Sequence, residues 1–135
     1  MQTVLPVTWA TIRVFLHVTA ATVWVGGQLT LSGLVPGLRK ISPDAPRTVA
    51  RRFNQIAWPA FFVLVATGIW NVLAIQPSWA TEYERTVMVK IVVVAIAGVS
   101  AFLHSIARSK TGLAVFGALS ALGSLGAVFL GVLLG

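Results

Sequence analysis

Residues 112–134 read GLAVFGALSALGSLGAVFLGVLL, a run without one charged side chain. A helix of about 20 such residues crosses the hydrocarbon core of a bilayer. Three further apolar runs precede this one, at about 7–38, 47–75 and 85–107, with short polar connections between them. None of the four alternates with a period of two, as the strands of a membrane barrel do. The sequence therefore predicts an all-α integral membrane protein with four spanning helices.

The composition agrees with a chain that contacts lipid over most of its surface. Of its 135 residues, 57% are hydrophobic and only 10% are charged. Short connections make consecutive helices antiparallel neighbours, so we expect one transmembrane domain, residues 1–135, folded as an up-down-up-down four-helix bundle. In the last run, small residues recur four positions apart, a pattern typical of close packing between membrane helices.

The net charge of +7 is concentrated in two of the three connections. The first holds Arg39, Lys40, Arg47, Arg51 and Arg52, and the third holds Arg108 and Lys110. Basic residues in short connections stay cytoplasmic, which predicts a cytoplasmic-membrane protein with both termini outside. This placement accounts for the charge by topology, so nucleic acid is not an expected partner.

Several kinds of chemistry are disfavoured by what the chain contains. It has no cysteine, so disulfides and thiolate metal sites are excluded. Its acidic residues Asp44, Glu82 and Glu84 all fall in predicted connections. Hydrolysis and phosphoryl transfer are therefore not expected, and a protein without catalytic activity of its own is favoured.

One polar and aromatic stripe runs along the first predicted helix. With 100° per residue, Arg13, His17, Trp24 and Gln28 fall within about 60° of one another. Ionisable groups at membrane depth are costly and are functional candidates by default. His17 is the strongest candidate because it is too deep to reach the headgroups easily, the alternative being a structural hydrogen bond. For Arg13, near the helix start, the alternative is snorkelling to the outer headgroups.

Lys90 and His104 share a face of the third predicted helix, fourteen residues apart. The depths of Lys90 and His17 allow these two residues to pair, with snorkelling of Lys90 as the alternative. His104 lies near the cytoplasmic helix end, where it either binds a metal or caps backbone carbonyls. The difference in depth separates His17 from His104, so one ion is not expected between them.

The run LHVTAATVWVGG at residues 16–27 resembles the first helix of the copper resistance D (CopD) family, whose pattern is close to LHxxAAxxWVGG. The pairs Arg52-Phe53, Thr67-Gly68 and Val89-Lys90 also look like that domain. The resemblance implies copper handling or transport across the membrane. Imidazole and thioether groups suit copper. The candidate metal ligands at membrane depth are His17, His104 and Met88.

A second resemblance points to haem. Membrane proteins of the HemJ type, which are protoporphyrinogen oxidases, also have a histidine in the first helix and a lysine in the third, matched here by His17 and Lys90. The alternative hypothesis is therefore a haem b-binding protein, with a porphyrin redox enzyme as its variant. His17 would be the axial ligand beside Trp24, and Arg13 or Lys90 would pair with a propionate.

A third alternative is a non-catalytic accessory subunit of a larger membrane complex, packed through its small-residue helix. The copper hypothesis also calls for further chains, because one chain offers few copper ligands. We therefore expect a homo-oligomer or a larger membrane complex.

Overall fold

The computed structural model describes residues 4–135, which are almost entirely helical. The four helices are α1 (Trp9–Ile41), α2 (Ala45–Ile75), α3 (Glu82–Ile106) and α4 (Lys110–Leu134). Each is long and apolar enough to cross a membrane, and no strand occurs within residues 4–135. The predicted all-α fold with four spanning helices is confirmed.

The helix ends differ from the predicted bounds by a few residues. α1 continues through Pro36 to Ile41 rather than ending at residue 38. α2 begins at Ala45 rather than at residue 47, with Pro46 in its first turn, where the missing proline N–H costs no hydrogen bond. α3 begins earlier than residue 85 because Thr81 caps it, its hydroxyl accepting a hydrogen bond from the Glu84 amide at 3.2 Å.

α1 contains an irregularity that the sequence pattern did not predict. Residues Thr22–Gly26 form a π-helical segment between two α-helical stretches, Trp9–Ala21 and Gly27–Ile41. Such a segment inserts one extra residue into the helix and turns the following side chains, and it is often found at functional sites. Here it carries Trp24, which is only 4% exposed.

The helices form two compact units, each a helical hairpin. The first hairpin contains α1 and α2, and the second contains α3 and α4. Both hairpins are antiparallel, as the short connections predict. The arrangement of all four helices as a single domain over residues 1–135 stays a prediction.

Aromatic rings form the core of the first hairpin. The Trp24 ring lies 5.3 Å from the Trp58 ring and 4.6 Å from the Phe61 ring, measured between centroids. Ring pairs at such distances add about 0.5–1.5 kcal/mol beyond the area that they bury. One turn further along α1, Gly27 lies directly under the Phe53 ring, which leaves no space for a side chain.

Small residues form the core of the second hairpin. A Cβ atom added to Gly123 of α4 would lie 3.0 Å from the Cβ of Ala97 on α3, so the two backbones approach closely. Ser100, Ser120 and Ser124 are buried around this contact. Close packing through the small residues of α4 was predicted from their spacing, and the contact with α3 agrees with it.

Candidate functional site

His17 contacts α2 through a hydrogen bond with Thr67. The distance between His17 Nδ1 and Thr67 Oγ1 is 2.8 Å. The Thr67 hydroxyl also donates to the backbone carbonyl of Val63, at 2.7 Å. The Leu64 carbonyl is a second acceptor, at 3.1 Å. A hydroxyl has one hydrogen and carbonyls can only accept, so we assign that hydrogen to the carbonyls, and Thr67 then accepts the bond from His17. A neutral His17 therefore carries its proton on Nδ1, and its lone pair is on Nε2.

The His17 side chain packs beside α2, and the residue is partly exposed. His17 is half-buried, while its neighbours Leu16 and Val18 are exposed. Gly68 lies beside the ring, and a Cβ atom there would be 3.7 Å from His17 Cε1. The ring is thus held between α1 and α2 by packing and by its hydrogen bond with Thr67.

Arg13 lies one turn before His17 on the same face of α1. Its guanidinium carbon is 5.8 Å from the centroid of the Trp70 ring on α2, within the range of a cation–π interaction. Within residues 4–135, its buried Nε has no hydrogen-bond partner. Arg13 is therefore associated with an aromatic face of α2, and its snorkelling to the outer headgroups stays a prediction.

The other two residues of the predicted stripe, Trp24 and Gln28, are buried and half-buried. Trp24 packs against Trp58 and Phe61, and Gln28 is half-buried. The burial of Trp24 is explained by this aromatic packing. A role of Trp24 in binding a cofactor stays a prediction.

Lys90 lies against a glycine of α4. Its Nζ would be 3.2 Å from a Cβ atom added to Gly131, and its side chain is half-buried. Glycine at this position gives the long lysine side chain room between the two helices. The pairing of Lys90 with His17 stays a prediction.

His104 makes a contact similar to that of His17, in the second hairpin. Its Nδ1 is 2.8 Å from the backbone carbonyl oxygen of Leu113 on α4. A carbonyl can only accept, so Nδ1 donates the proton and a neutral His104 has its lone pair on Nε2. His104 thus binds a backbone carbonyl, as one alternative predicted, but that carbonyl belongs to α4 rather than to the end of its own helix.

The structure does not bring the candidate metal ligands of the second hairpin together. Met88, which is 44% exposed, precedes His104 on α3 by about 24 Å at 1.5 Å per residue. These two side chains cannot share one ion. In the part of the chain that the structure describes, no three His, Cys, Asp or Glu side chains are grouped to hold a metal ion.

Comparison with known proteins identifies the family. The sequence profile of "Copper resistance protein D" (CopD) matches residues 47–134, which include α3, α4 and nearly all of α2. The chain belongs to the CopD family. The CopD resemblance seen in the sequence is thereby confirmed, and this CopD-family chain is a multi-pass membrane protein related to copper resistance. The HemJ-type resemblance is not shown.

One relative of known sequence adds no function. An "Uncharacterized protein" of Aquifex aeolicus (strain VF5) is 35% identical over 104 residues, which cover 73% of this chain and 70% of that protein. No solved structure matches the chain. The CopD match contains Thr67, Lys90 and His104 but begins after His17.

Two partners of the histidines were missed by reasoning from the sequence. Thr67 was noted only as part of a motif, and Leu113 was not noted at all. Thr67 could have been found as a polar residue in the middle of an apolar run, because its hydroxyl needs a hydrogen-bond partner at membrane depth. Leu113 acts through its backbone carbonyl, for which a leucine gives no signal.

Proposed function

We propose that this CopD-family protein handles copper in the cell membrane and that Nε2 of His17 is a copper ligand. The hydrogen bond from His17 Nδ1 to Thr67 is the observation that supports this role. Histidines that bind metals almost always donate their other ring N–H to a protein acceptor, which sets the tautomer and the ring orientation. Thr67 is such an acceptor, and its own hydrogen is used by Val63.

The charge of the surroundings favours cuprous over cupric ion. Arg13, one turn from His17, raises the energy of any cation nearby, and this cost grows with the ion's charge. A singly charged ion bears half the penalty of a doubly charged one. The hairpin has no carboxylate at this level, since its one acidic residue, Asp44, lies at the connection of α1 and α2.

One chain does not supply a full ligand set, so the proposal includes a second chain. His17 is the single imidazole of the first hairpin, and that hairpin has no cysteine. A second ligand would come from another copy of this chain or from a partner in the membrane. Transport of copper across the bilayer would use such an assembly.

The experiment that tests the function is metal analysis of the full chain purified in mild detergent after growth with copper. The proposal expects bound copper in wild type and in His104→Gln, and its loss in His17→Gln. An absorption spectrum of the same samples, oxidised and reduced, detects haem. A haem band that disappears in His17→Gln would indicate haem b in place of copper. Absence of both copper and haem from the purified protein would favour an accessory subunit.

The proposed topology places both termini outside, in the cytoplasmic membrane. The chain has no cysteine, so a single introduced cysteine is the only thiol of the protein that can be labelled. Pro43→Cys lies in the first connection and Ala80→Cys in the second, both at exposed positions. A membrane-impermeant maleimide on intact cells should label Ala80→Cys and leave Pro43→Cys unlabelled. The reverse result would invert the topology.

A further inference from the structure

One end of the first hairpin carries a dense group of positive charges. This basic end consists of Arg39, Lys40, Arg47, Arg51 and Arg52. The first two lie in the last turn of α1, and the other three lie in the first turns of α2. At 1.5 Å per residue, the three arginines of α2 are within about 10 Å of the start of that helix. All five side chains are exposed.

These charges are not neutralised by the chain itself. Within residues 4–135, the side-chain hydrogen bond found for the basic end runs from Arg52 Nη1 to Gln55 Oε1, a neutral amide, at 3.4 Å. The connection contains one acidic residue, Asp44. Its backbone amide binds the Ser42 hydroxyl at 3.2 Å, and its side chain makes no capping hydrogen bond to α2. The negative dipole end of α1 and the positive dipole end of α2 lie together here and largely offset each other, so the five cations exceed the one carboxylate of the connection.

The position of the basic end indicates where its counter-ions come from. It lies at the ends of two helices that are long and apolar enough to span a membrane. Each headgroup layer of a bilayer is about 5–8 Å thick, and a spread of about 10 Å along the hairpin fits such a layer once the length of an arginine side chain is included. Phosphate oxygens match the planar guanidinium group in two-point hydrogen bonds.

We propose that the basic end binds the phosphate groups of anionic phospholipids and so forms a lipid-recognition surface of this protein. Lipid is favoured over an acidic protein because the five cations lie where headgroups surround the helices. Each basic residue near a membrane surface contributes about 1 kcal/mol to binding anionic lipid, or about fivefold in affinity. Removing three charges should then weaken binding by about 100-fold.

The test measures lipid affinity of the full chain in a neutral detergent by native mass spectrometry. The probes are phosphatidylglycerol and phosphatidylcholine, with inorganic phosphate added as a competitor. The test variant is Arg47→Gln/Arg51→Gln/Arg52→Gln. The matched control is Arg85→Gln/Arg108→Gln/Lys110→Gln, which removes the same charge from the start of α3 and from around the start of α4. Circular dichroism confirms that both variants keep the helix content of wild type.

The proposal expects wild type and the control to prefer phosphatidylglycerol, and the test variant to lose that preference by about 100-fold. Equal affinity of wild type for the two lipids would overturn the proposal. That result is expected if the basic end binds an acidic protein and not lipid. An equal loss in the control would also overturn it, because net charge rather than the basic end would then be responsible. Displacement of phosphatidylglycerol by millimolar phosphate would reassign the surface to free phosphate.

Discussion

The Nδ1 atom of His17 on α1 lies 2.8 Å from the Oγ1 atom of Thr67 on α2. This hydrogen bond joins the two helices of the first hairpin and determines which nitrogen of the imidazole carries the lone pair. It connects a residue outside the CopD match with a residue inside it. The proposed copper ligand thus depends on a threonine that the family profile covers.

Replacing Thr67 with valine should weaken copper binding. Valine has nearly the same shape as threonine but cannot accept the proton of His17, so both tautomers and other ring orientations become available. Loss of such a supporting partner typically lowers metal affinity 10- to 100-fold. A competition titration with a cuprous chelator measures the change. Thr67→Ser, which keeps the hydroxyl, is the control and should bind copper as wild type does. Equal weakening in both variants would contradict the role of the hydroxyl.

The adjacent glycines 26 and 27 should respond differently to alanine. A Cβ atom on Gly27 would overlap the Phe53 ring, whereas nothing lies within 4 Å of a Cβ atom on Gly26. Gly27→Ala should lower the free energy of unfolding by about 1–3 kcal/mol, typical of overpacking. Gly26→Ala should be neutral or slightly stabilising, since alanine favours helix. Thermal unfolding in detergent, followed by circular dichroism, compares the two. A more stable Gly27→Ala variant would disprove the close contact.

The helices were predictable from the sequence because length and apolar character decide whether a segment spans a bilayer. The π-helical segment at Thr22–Gly26 was not, since no local residue pattern specifies it. The stripe of Arg13 and His17 was predicted from helical periodicity alone. Its contacts with Trp70 and Thr67 depend on the register between α1 and α2, which the sequence does not show. Likewise, the contact of Lys90 with Gly131 depends on the packing of α3 and α4, which the sequence does not show.

The second hairpin offers a matched test of its close packing. A Cβ atom on Gly123 would lie 3.3 Å from the Cα of Ala97, a backbone atom that cannot move aside, whereas one on Gly126 would lie 3.5 Å from Val93 Cγ1, an ordinary contact. Gly123→Ala should therefore destabilise the protein by about 1–2 kcal/mol, and Gly126→Ala should not. Unfolding in sodium dodecyl sulfate measures both. Equal stability of the two variants would be inconsistent with the packing described here.

Glu84 should control the order of the connection between α2 and α3. Its carboxylate accepts hydrogen bonds from the amides of Ser78, Ala80 and Thr81 at 3.0–3.3 Å, and from the Ser78 hydroxyl at 3.0 Å. Glu84→Ala should speed hydrogen exchange of these amides on the order of tenfold, because they lose a charged acceptor. The control Glu82→Ala removes a neighbouring carboxylate for which no such bonds are found in residues 4–135. If both variants exchange alike, Glu84 does not hold the connection.

The most direct test of the proposed copper site is nitrogen-15 NMR of protein labelled on histidine. The chain has two histidines, so His104→Gln assigns the ring signals of His17. Without copper, the His17 ring should carry a proton on Nδ1 and a lone pair on Nε2. Addition of cuprous ion, which is diamagnetic, should shift the Nε2 signal of His17 and leave Nδ1 protonated. A proton on Nε2 before addition, or an Nε2 signal of His17 that does not change with saturating copper, would contradict the proposed copper site.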